Sequence, residues 1–106
     1  MSESATKETV ILFQGDSITD GKRLRGKENE WDLNHQMGHG YAFVVNAELG
    51  SRFPERHLKF INRGISGNRV ADLYGRWKED TLNLNPDVLS VLVGINDCGS
   101  TIYDNA

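Results

Sequence analysis

Four apolar residues dominated by β-formers, Val10-Ile11-Leu12-Phe13, run into Gln14-Gly15-Asp16-Ser17 and stop there. A short apolar run closed by a glycine reads as a buried strand, spanning Thr9 to Gln14, whose carboxyl end delivers Ser17 into the loop from Gly15 to Gly21. Ligands of open α/β sheets bind at that edge. Ser17 is therefore a candidate nucleophile, but a hydroxyl at its free pKa is weak. It needs a base, and donors aimed at the oxyanion that forms.

Two further runs end in comparable loops. Leu58-Lys59-Phe60-Ile61 leads into Asn62 to Asn68, where Gly64 and Gly67 imply a tight path with exposed backbone amides. Val88 to Val93 leads into Gly94-Ile95-Asn96-Asp97, and the Asn96 carboxamide brings two N–H donors. Parallel pairing of the three strands would bring all three loops to one edge. The last strand is apolar except at Ser90, which predicts cover on both faces and a central position in the sheet.

Helical periodicity fills the gaps between the strands. Ala42, Val45, Leu49 and Phe53 recur at helical spacing after Gly40, and Pro54 forces a stop. Asn68 is the predicted N-cap of a second helix. Its stripe of Val70, Leu73, Tyr74 and Trp77 should face the sheet, with Arg69, Asp72, Arg76, Lys78 and Glu79 outward.

A chain of 106 residues makes one domain at most, and 38% hydrophobic with 25% charged residues is an ordinary globular composition. With 12 Lys and Arg against 15 Asp and Glu the net charge is −3, so nucleic-acid and anionic-membrane partners are not expected. No apolar run approaches the ~20 residues of a membrane span. Residues Met1 to Glu8 read as a disordered polar tail without a signal-peptide core. The expected compartment is the cytoplasm, or outside the cell where a signal peptide has been removed.

Cys98 has no internal disulfide partner and reads as a small buried residue near a strand end. His35 and His39 stand four apart. A zinc protease would need Glu where Gln36 stands and a helix that Gly38 discourages, so no metal is expected. His57 reads as a partly exposed residue at a strand start.

Gly15-Asp16-Ser17, then Gly67 within Ile65-Ser66-Gly67-Asn68, then Gly94-Ile95-Asn96-Asp97 resemble the first three sequence blocks of the SGNH hydrolases, also called GDSL esterases/lipases. The resemblance implies an α/β fold, a three-layer α/β/α sandwich around a parallel sheet (flavodoxin-like). Residues 9–106 would be the N-terminal part of one such domain, truncated after the third strand. The implied activity is that of a serine ester hydrolase, transferring an acyl group to water through an acyl-serine. Substrates would be short acyl, lipid or acetylated carbohydrate esters, with no cofactor. In that scheme Ser17 is the nucleophile, and the Ser17 and Gly67 amides and the Asn96 side chain hold the oxyanion. Asp97 orders its loop. The charged segment Lys22 to Asp32 is a solvated loop, or the rim of the substrate pocket with Trp31 as its wall.

The family's base and its orienting acid come from a later Asp-x-x-His block, which does not follow Asn96 here. The expectation is that these residues alone lack the catalytic histidine, and that an uncovered strand edge drives homo-oligomerisation or pairing with a complementary chain. Other motifs fit less well. The α/β-hydrolase elbow G-x-S-x-G meets Asn68 in place of its last glycine. A P-loop has four residues between its glycines, whereas Gly15 and Gly21 enclose five. A phosphate- or nucleotide-binding flavodoxin-like module and an inactive assembly module are the alternative readings.

Overall fold

The predicted strands form where the apolar runs end in glycine or asparagine. In the computed structural model, which describes residues 7–25 and 34–98, they are β1 (Thr9–Gly15), β2 (Leu58–Asn62) and β3 (Val88–Leu92). Most of the expected N-terminal tail and the charged segment around Trp31 lie outside the described residues. All pairing is parallel, with Ile11 beside both Phe60 and Val88, and the order is β2-β1-β3.

Among the described residues β3 pairs on one side only, with β1, and so does not show the central position expected of it. The middle strand is β1, with Leu12, Phe13, Gln14 and Gly15 buried, whereas Val88, Leu89, Val91 and Leu92 are 39–50% exposed. An apolar run demands cover, but it does not encode which neighbour supplies it.

The helices are α1 (Ser17–Asp20), α2 (Tyr41–Arg52), α3 (Val70–Gly75) and α4 (Trp77–Asp80). As the periodicity predicts, α2 buries Ala42, and it ends at Arg52 with Phe53 as its C-cap, just before Pro54. On its side of the sheet Phe13 packs with Met37 and Ala42, flanked by Ile11, Tyr41, Val45 and Phe60. Tyr41 meets the Phe13 ring edge-on at 5.8 Å, and Phe60 stacks on it at 6.5 Å. On the other face Gln14 Nε2 donates to the Asp80 carbonyl at 2.7 Å and to Thr81 Oγ1 at 3.0 Å, which fastens α4 to β1. Helices on both faces of a parallel sheet make the three layers.

The second predicted helix is broken. Arg69, not Asn68, is its N-cap, with the Asp72 carboxylate accepting from the Arg69 amide at 2.8 Å. Arg76 leaves helical geometry (φ −116°, ψ 16°), so Trp77 starts a new turn instead of continuing the stripe. Only Leu73 is buried; Val70 is 55% and Tyr74 85% exposed. No helix among the described residues is long and apolar enough to cross a membrane.

Candidate active site

Parallel pairing aligns the carboxyl ends of β1, β2 and β3, and each is followed by one of the three loops singled out in the sequence. After β1, Asp16 is buried and caps α1, its Oδ1 accepting from the Ile18 amide at 3.0 Å. Ser17 is the first residue of α1 and is exposed. Gly15 is required by crowding, since a Cβ there would run into the Leu92 carbonyl and the Thr19 side chain.

The second loop is laced to the first. Its Arg63 and Ile65 amides donate to the Phe13 and Gly15 carbonyls at 2.9 and 3.1 Å, extending the pairing with β1. Buried Asn62 donates through Nδ2 to the Thr19 and Met37 carbonyls at 2.8 and 2.9 Å and accepts from the Gly64 amide at 2.9 Å. Asp20, also buried, accepts from the Arg23 amide at 3.0 Å through one oxygen. Through the other it accepts from the Ser66 amide at 3.1 Å and the Ser66 hydroxyl at 3.3 Å. Arg23 completes the clasp by donating to the Gly64 carbonyl at 2.9 Å while standing 3.8 Å from Asp20. These bonds lead the chain to Gly67, which is exposed at φ +84° with open space where a side chain would project.

After β3, residues 95–98 form a helical turn. Asn96 is half-buried, and its Nδ2 donates to the Asn68 carbonyl at 3.0 Å, beside Gly67. Asp97 accepts from the Val70 amide at 3.1 Å, and so it does order the loop. Cys98 is exposed among the described residues, contrary to the expectation of burial.

The structure thus brings Asn96 against the residue next to Gly67, and sets Ser17 on the same sheet edge, joined to that loop through Asp20 and Ser66. The histidines are arranged differently. His57, exposed and left-handed at φ 53°, precedes β2 and so lies at the opposite edge. His35 Nδ1 and His39 Nε2 hydrogen-bond at 3.2 Å, and His39 Nδ1 meets the Gly21 carbonyl at 3.2 Å. Among the described residues no three His, Cys, Asp or Glu side chains gather as a metal site would need.

Asp20, Arg23, Asn62 and Arg76 are the supporting residues that sequence reasoning missed. The one signal for them was position: Asp20 and Asn62 are polar groups at the ends of segments entering the loops.

The profile of the GDSL-like Lipase/Acylhydrolase family matches residues 13–106. An acetylxylan esterase of Geobacillus stearothermophilus is 45% identical over 87 residues, or 82% of this chain and 39% of that protein. The structure of a proposed GDSL-like lipase from Parabacteroides merdae superposes with a TM-score of 0.85 at 44% identity, covering 94% of this chain and 45% of its own. LAE5, an alpha/beta hydrolase enzyme from the metagenome of Lake Arreo, gives 0.82 at 42% identity, covering 92% and 44%. The chain therefore spans less than half the length of each of these relatives.

Proposed function

Because the chain belongs to the GDSL-like lipase/acylhydrolase family, we propose that it carries the nucleophile and the oxyanion donors of a serine ester hydrolase. Ser17 Oγ attacks the ester carbonyl as its proton passes to a base. The Ser17 and Gly67 amides and one Asn96 N–H hold the oxygen as it becomes negative. Collapse expels the alcohol and leaves an acyl-serine, which water then hydrolyses. No residue in the described structure is assigned as the base.

The observation that carries this reading is the bond from Asn96 Nδ2 to the Asn68 carbonyl. It consumes one of the two carboxamide protons and holds the group beside Gly67, where a side chain would project into open space. A donor already oriented costs no reorganisation when charge develops. With the base supplied, Asn96→Ala should lower ester turnover by about 10²–10³-fold while costing only about 1 kcal/mol of stability for the lost bond, read by a nitrophenyl-ester assay beside a thermal melt. Full turnover in that variant would remove Asn96 from the site.

The similarity to an acetylxylan esterase favours an O-acetyl ester of a carbohydrate over longer acyl esters. A series of acetylated sugars against acyl esters of increasing length would read this out, with turnover falling as the acyl chain grows.

The face and outer edge of β3 supply a second expectation. Val88, Leu89, Val91 and Leu92 are exposed together on a strand that, among the described residues, is paired on one side only, and such an edge recruits further polypeptide. The chain should associate, as a homo-oligomer or with a complementary chain. A stable, monodisperse monomer in light scattering would contradict this.

A further inference from the structure

One guanidinium touches two of the three loops and is linked through Asn68 to the third. Arg76, at the break between α3 and α4, donates from Nε to Asn68 Oδ1 at 2.7 Å and from Nη2 to the Gly15 carbonyl at 3.3 Å, while Nη1 pairs with Asp80 at 3.0 Å. Gly15 ends β1, two residues before Ser17. Asn68 follows Gly67, and its carbonyl accepts from Asn96. We propose that Arg76 is a positioning residue for the oxyanion site. It ties the end of β1 to Asn68, and Asn68 in turn fixes the Asn96 carboxamide so that one N–H is spent and the other is left for the incoming oxygen.

The residue type and the helix break both fit this role. Only a planar fork offers several donors at fixed angles, so three acceptors on different segments are met from one half-buried position. A lysine keeps the charge beside Asp80 but cannot span Gly15 and Asn68 together. The departure of Arg76 from helical geometry also acquires a purpose. A continuous helix would carry this side chain on a regular face, whereas the break aims it at the carboxyl end of β1.

The inference rests on the function proposed above, and its test is arranged to fail separately. In the full chain without substrate, solvent exchange of the Asn96 side-chain amide is followed by ¹⁵N-resolved NMR in the parent, in Arg76→Lys and in Asn68→Ala. Asn68→Ala cuts the same link from the other end while leaving the Asn68 carbonyl in place. Both variants should speed exchange of the protected Asn96 proton about tenfold. Both should also lower kcat by about 10²-fold with KM unchanged. Exchange that stays at the parent rate in either folded variant overturns the proposal. So does freed exchange with undiminished kcat. If turnover instead proves indifferent to Ser17→Ala, the proposed function falls, and the exchange measurement still decides whether Arg76 holds Asn96.

Discussion

In a form of the protein that supplies the base, Ser17→Ala is expected to abolish covalent capture by a fluorophosphonate and to lower ester turnover by on the order of 10⁶-fold, with the fold intact. The two halves of this result have separate causes. Removing the hydroxyl removes the atom that forms the acyl bond, and no neighbouring side chain takes its place. Stability should hold because Ser17 is exposed, and the groups that shape its turn are elsewhere. Asp16 supplies the cap, and the Ser17 carbonyl, which alanine retains, accepts from the Gly21 amide at 2.9 Å. An exposed substitution of this kind shifts stability by less than about 0.5 kcal/mol. Labelling and turnover that are both present and equal in the two chains would show that Ser17 is not the nucleophile.

The largest effect on stability is expected from Asp20→Ala. The Asp20 carboxylate is buried, and it serves the Arg23 amide, the Ser66 amide and the Ser66 hydroxyl while standing beside the Arg23 guanidinium. Deleting it breaks a buried charge pair with Arg23 and takes the acceptor from the Arg23 and Ser66 amides, which should cost about 3–5 kcal/mol. For a domain of this size each kcal/mol moves the melting midpoint by about 4–8 °C, so the midpoint should fall by more than about 10 °C. Reactivity of Ser17 should fall with it, since the same carboxylate joins α1 to the loop that carries Gly67. A melting midpoint within a degree or two of the parent would show that the clasp does not hold these loops.

What was legible from sequence, and what was not, follows from how each kind of information is written. The strands are marked by apolar runs ending in Gly15, Asn62 and Gly94, and their parallel pairing follows from the helical spacing between them. The three loops of the candidate site come with the strands. Strand order is different: Val88 to Leu92 is as apolar as β1, and nothing in its composition says that β1 has neighbours on both sides. The stripe from Val70 to Trp77 misled because periodicity assumes an unbroken helix, and Arg76, a residue of good helix propensity, leaves helical geometry where its side chain bonds Asn68 and Gly15. Asp20, Arg23 and Asn62 form no sequence pattern at all. Their partners lie up to 46 residues away, and only the folded chain turns these polar side chains into one buried network.

A structure of the full chain after reaction with a phosphonate tests the account most directly. The expected result is a phosphorus bonded to Ser17 Oγ, with its oxygen about 3 Å from the Ser17 amide, the Gly67 amide and Asn96 Nδ2 together. A phosphonyl oxygen turned to solvent, or an adduct formed on another side chain, would contradict it.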